Sequence, residues 1–119
     1  MKLYRKLAFL IEWHNRTENG KKQEINDSIK KLVRDHMPSG SGVDMRTKID
    51  LISCNEKRIV FNFSFHHMNE NGLYDGWTEH TLIIKPSFTD FDMSITGRNQ
   101  NDIKEYFYDV YNEALNQEV

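Results

Sequence analysis

The spacing of apolar residues changes twice along this chain, and those two changes constrain its fold more than any other feature. Up to residue 36 the spacing is helical. Leu3, Leu7, Leu10, Ile11 and His14 make one stripe, and Ile25, Ile29, Leu32, Val33 and His36 make a second. Near Met45 the interval drops to two. Thr47, Ile49 and Leu51 alternate with Lys48, Asp50 and Ile52, and Ile59, Phe61, Phe63 and Phe65 alternate with Val60, Asn62, Ser64 and His66. Trp77 to Lys85 forms a third strand, which Pro86 ends, and Phe91, Met93 and Ile95 mark a fourth. At Asn101 the helical interval returns, with Ile103, Phe107, Val110 and Ala114 as the inner stripe and Tyr106 beside it. The predicted order is ααββββα.

The residues between these segments set the connections. Arg16 to Gly20 breaks the first helix, with Gly20 expected in the left-handed conformation at its end. Pro38 stops the second helix at about Met37, so the two helices read as an antiparallel αα-hairpin. Ser39-Gly40-Ser41-Gly42 reads as a connector, Asn55-Glu56-Lys57 and Gly97 to Gln100 as turns, and Asn101 as the cap of the last helix. Consecutive strands with short links favour a four-stranded antiparallel meander. Helices before and after it then cover one face, which gives a single two-layer α+β domain over residues 1–119. Phe61, Phe63 and Phe65 are expected to pack against Leu7, Ile11, Ile29, Val33, Phe107 and Val110.

Charge and cysteine content exclude several functions. Charged residues are 29% of the chain but well mixed, with a net charge of −2, so no field draws it to DNA or an anionic membrane. The basic residues are scattered and outline no nucleic-acid groove. The single Cys54 allows neither an internal disulfide nor a multi-cysteine zinc site, and no neighbouring base activates it as a nucleophile. The apolar run Leu7 to Ile11 is too short for a signal peptide, and no segment approaches 18 apolar residues, so a cytoplasmic location is expected.

Polar, titratable and aromatic residues gather where strands two and three meet. His66, Tyr74, Asp75, Trp77, Glu79 and His80 are the candidate binding residues. By parity His67 and His80 share the buried face, while His66 and Glu79 point outward. His67, His80 and Asp75 would be the ligands in a metal reading, with Glu70 and Asp44 as other third ligands. No compact ligand spacing supports that reading, and hydrogen-bonded histidines at a core edge are the simpler account. His14 and His36 sit on apolar stripes and read as structural. Trp13, Tyr74, Trp77 and the Tyr106-Tyr108-Tyr111 group offer either a binding surface or a core rim. The Gly-Ser stretch follows a helix and precedes a strand, the reverse of a phosphate-cradling loop.

Three segments carry a resemblance. They are Pro38 to Asp44 (PSGSGVD), Phe65 to His80 (FHHMNENGLYDGWTEH) and Thr96 to Tyr106 (TGRNQNDIKEY). With them the chain resembles a group of small proteins of unassigned activity encoded by bacteriophages, prophages and related mobile elements. The resemblance implies a host-cell cytoplasmic setting and brings no catalytic residue or cofactor. The expectation is a non-enzymatic accessory module that engages a protein partner or small ligand, including interference with a host process such as immunity. The alternatives are a small metal- or histidine-dependent enzyme at residues 66–80 and a virion structural or assembly component. The oligomeric state is left open by the sequence.

Overall fold

The computed structural model describes residues 1–37, 40–41, 45–55, 57–68, 71, 74–97 and 101–119, and all of their side chains except those at 40–41, 45–48, 50–52, 65–68, 74–78, 97 and 101–106. Helix α1 (Leu3–Arg16) buries Leu3, Leu7, Ala8, Ile11 and His14, the stripe its spacing predicts, with Leu10 half-buried at its edge. Thr17 ends α1 in extended conformation: its hydroxyl donates to the Trp13 carbonyl at 2.7 Å and its N–H to the His14 carbonyl at 3.3 Å. Gly20 therefore does not close the helix. It sits in a 3-10 turn (Asn19–Lys21) without a left-handed φ, because extended Thr17 has already satisfied the orphaned carbonyls.

Helix α2 (Lys22–His36) turns Ile25, Ile29 and Val33 into the core. His36 is half-buried, and its carbonyl accepts a hydrogen bond from the Gln117 side chain at 2.8 Å. The expected αα-hairpin is present, and Pro38 lies outside the described residues.

The sheet runs in the order β1-β2-β3-β4-β5, every pair antiparallel. Its body is the four-stranded meander that the alternation predicts: β2 (Met45–Cys54), β3 (Ile59–Met68), β4 (Tyr74–Pro86) and β5 (Phe91–Gly97). Within the expected connector, β1 (Gly40–Ser41) forms and pairs with Thr47 and Arg46 at the edge of the sheet. A strand of two residues has no periodicity to detect. A register shift between Leu51 and Ser53 inserts one residue into β2. Ile49 and Cys54, which differ in parity, consequently both pack against the core. At the β2–β3 turn the Lys57 N–H donates to the Asn55 side chain, and at the β4–β5 turn the Ser87 hydroxyl donates to the Asp90 carbonyl and accepts from the Asp90 N–H.

Helices α1, α2 and α3 (Asn101–Asn116) supply the apolar layer that covers one sheet face. Ile59, Phe61 and Phe63 of β3, Leu82 and Ile84 of β4, and Met93 and Ile95 of β5 lie on that face and are buried. The opposite face carries exposed Asn62, Glu79, Ser94 and Thr96 around half-buried Val60 and Ile83. Phe65 and the proposed Asn101 cap lie outside the described side chains.

Two core assignments need correcting. Tyr111, expected at a binding surface or the core rim, is fully buried, and Val110, expected on the inner stripe of α3, is half-buried. The Tyr111 ring meets Phe61 at 6.3 Å, Phe63 at 5.3 Å and Phe107 at 5.7 Å between centroids. The inner face of α3 is thus Phe107, Tyr111, Ala114 and Leu115, rotated by one residue from the predicted stripe. Both positions border the same stripe, and the packing angle of the helix decides between them.

The chain ends close the structure. The Leu3 N–H donates to the Gln117 carbonyl and the Val119 N–H to the Met1 carbonyl, each at 2.9 Å. The Met1 ammonium pairs with Glu118 at 2.8 Å. Residues 1–3 and 117–119 therefore hold the start of α1 against the end of α3.

Candidate binding surface

The hairpin end singled out in the sequence divides between two faces. His66 pairs with Trp77 and Met68 with Tyr74, and a register shift lies between these pairs. The side chains of His66, His67, Tyr74, Asp75 and Trp77 lie outside the described residues. Glu79 pairs with Ser64 and is exposed on the open sheet face. His80 points the other way: it pairs with Phe63, is 2% exposed, and stacks on the Phe63 ring at 5.0 Å and 18°. Phe107 lies 6.4 Å from the same imidazole. His80 is thus a core residue beneath α3, out of reach of a partner.

The same register separates the two histidines of the metal reading. His80 stands opposite Phe63, four residues before His67. At about 3.3 Å per residue that is roughly 13 Å along the sheet. Metal–nitrogen bonds are about 2.0–2.1 Å. Among the described residues, no three His, Cys, Asp or Glu gather where an ion could be held.

A different surface stands out on α1. Because Leu3, Leu7, Ile11 and His14 face inward, Phe9 and Trp13, one turn apart, face outward. Trp13 is 63% exposed and Phe9 45% exposed. Phe88, from the β4–β5 turn, is 40% exposed and meets the Phe9 ring at 4.6 Å between centroids. An inward stripe cannot account for a tryptophan on the solvent side.

Three open grooves flank this aromatic ridge. One of about 560 Å³ runs along the outer face of α1 between Met1 and Arg16 and includes Phe9, Leu10 and Trp13. A second, of about 460 Å³, lies toward α2 and is lined by Leu10, Trp13, Glu18, Lys21, Glu24 and Ile25. The third, of about 420 Å³, lies toward the sheet turns, where Ala8, Glu12 and Asn15 face Lys57, Lys85 and Phe88. Glu12 and Arg16 form an ion pair at 2.6 Å beside the ridge.

Burial shifts the pKa of His14 and of Cys54 from their ordinary values. Burial lowers the pKa of His14, on the inner side of α1, below 6.5 and Lys22 adds to that, against an opposing hydrogen bond with the Asn15 side chain. Burial raises the pKa of the Cys54 thiol, which keeps it protonated. Tyr108, also outward-facing, is tied down by donating its hydroxyl to the Met93 carbonyl on β5.

Of the aromatics named from sequence, Trp13 belongs to this surface, while Phe9 and Phe88 were missed. The Phe9–Trp13 pair was detectable as an i, i+4 aromatic repeat on the polar side of α1. Phe88 carried no such signal, since only the sheet turn brings it to Phe9. Compared with protein-family models, curated proteins and solved structures, the chain matches none.

Proposed function

We propose that this chain is a non-enzymatic binding module whose contact surface is the aromatic ridge Phe9, Trp13 and Phe88. One observation carries the reading: a largely exposed tryptophan stands one helical turn from an exposed phenylalanine, with a second phenylalanine packed against the first in a tilted ring contact and open grooves on either side. Exposed aromatic clusters of this kind anchor interfaces, because a flat rigid ring buries much apolar area at little entropic cost. No helix among the described residues is long and apolar enough to cross a membrane. The phage-protein resemblance adds the setting: an accessory protein that engages a host or phage protein, interference with immunity included. That part rests on the resemblance alone.

The test is site-specific photocrosslinking in cells that carry the host or phage partner. A photoreactive residue at position 13 should give a discrete adduct with a second protein, which Phe9→Ala removes. The same residue at Ser94, on the open sheet face, should give none. Equal adducts from both positions, or none from position 13, would refute the surface. Trp13→Ala should shift folding stability by no more than about 0.5 kcal/mol, as expected for an exposed side chain, so loss of the contact would not reflect unfolding.

A further inference from the structure

Resting on that reading, we infer that the occupant of the ridge is an amphipathic helix of a partner protein that bears acidic residues on the flank facing the sheet turns. The shape comes first. The ridge is itself a helix face with apolar side chains at Phe9, Leu10 and Trp13, so a second helix laid along it can present apolar residues at i, i+3, i+4 and i+7. The grooves on both sides give room for the side chains that flank such a stripe.

Charge decides the rest. Lys6, Arg16, Lys57 and Lys85 line the two outer grooves with Glu12 as the one carboxylate among the lining residues, and Asp92 stands across the sheet from Lys85; with both carboxylates counted, the local net charge is +2 on a chain whose total is −2. Arg16 is neutralised by Glu12, but Lys6, Lys57 and Lys85 enter no ion pair with another described residue. The groove toward α2 is the reverse, with Glu18 and Glu24 against Lys21. A partner helix is therefore favoured with carboxylates beside Lys57 and Lys85, and disfavoured with them beside Glu18 and Glu24. A second copy of this chain fits poorly, because a two-fold contact would set this positive face against itself.

Two synthetic helices of about five turns test the inference. They share a leucine stripe at i, i+3, i+4 and i+7, and one carries glutamate where the other carries lysine. Each is titrated into the isotopically labelled chain of residues 1–119 and followed by amide chemical shifts. The glutamate helix should move the amides of Phe9, Trp13, Lys57, Lys85 and Phe88 and leave Val60 and Ser94 in place. Its Kd should rise about tenfold in the Lys57→Glu, Lys85→Glu double variant and at high salt. Equal or tighter binding of the lysine helix, or no effect of the double variant, would overturn the acidic partner while leaving the ridge reading intact. Binding of neither helix would overturn it as well, and the photocrosslink at position 13 then reports separately on the ridge. Dimerisation abolished by Trp13→Glu, or binding to anionic lipid vesicles in preference to the glutamate helix, would replace the proposed occupant and overturn the inference too.

Discussion

Replacing Tyr111 by phenylalanine should stabilise this protein. Tyr111 is fully buried among Phe61, Phe63 and Phe107, and its hydroxyl finds no hydrogen-bond partner among the described residues. A buried hydroxyl left unpaired costs about 1–3 kcal/mol. Removing it leaves a void of about 15 Å³, worth about 0.4 kcal/mol at ~24 cal/mol per Å³. The net gain for Tyr111→Phe is about 0.6–2.6 kcal/mol. Near the melting point that corresponds to a rise of about 2–10 °C, at roughly 4 °C per kcal/mol. Urea denaturation followed by circular dichroism gives the free energy, and an unchanged m-value shows that the comparison is two-state. A loss of more than about 1 kcal/mol would show that the hydroxyl is bonded and that the reasoning is wrong. An independent reading comes from alkaline titration. Burial raises the Tyr111 pKa above 10. The folded state therefore holds that proton where the unfolded state releases it, and wild-type stability should fall as pH rises past about 10. Tyr111→Phe should soften that fall.

Three further outcomes follow from the packing and the termini. Phe63→Ala removes a fully buried ring that touches His80, Phe107 and Tyr111, and should cost about 3–5 kcal/mol by denaturation; a loss below about 1 kcal/mol would mean that the ring is not in the core. His14 has a depressed pKa in the fold, so the unfolded chain binds its proton first. Wild-type stability should therefore decline as pH drops below about 6.5, and His14→Gln should flatten that limb, whereas parallel wild-type and variant limbs would contradict the assignment. Gln117→Ala deletes the 2.8 Å bond to the His36 carbonyl and should cost about 0.5–1.5 kcal/mol, with faster amide exchange at the end of α2; unchanged exchange there would count against the clasp.

Much of the architecture was legible in the order of residues alone, because helix and strand repeat at incompatible intervals. Leu3, Leu7 and Ile11, then Ile25, Ile29 and Val33, can share one face only at 3.6 residues per turn. Ile59, Phe61 and Phe63 can do so only at two. Parity also foretold that His80 lies on the side of Leu82 and Ile84 and that Glu79 lies on the other. Properties that depend on how elements meet were not written in any local interval. The register of β3 against β4 put His80 opposite Phe63 and about four positions from His67, which a parity count cannot measure. The rotation of α3 on the sheet chose Tyr111 over Val110, and the extended Thr17 made Gly20 unnecessary as a helix stop. The aromatic ridge depends most on tertiary structure. Phe9 and Phe88 are distant in the chain, as are Glu12 and Lys85, and they become neighbours only because α1 lies over the turns of a sheet built from later residues. Periodicity reports which side of an element is apolar, but a surface made from two elements exists only once their separation and crossing angle are set by packing.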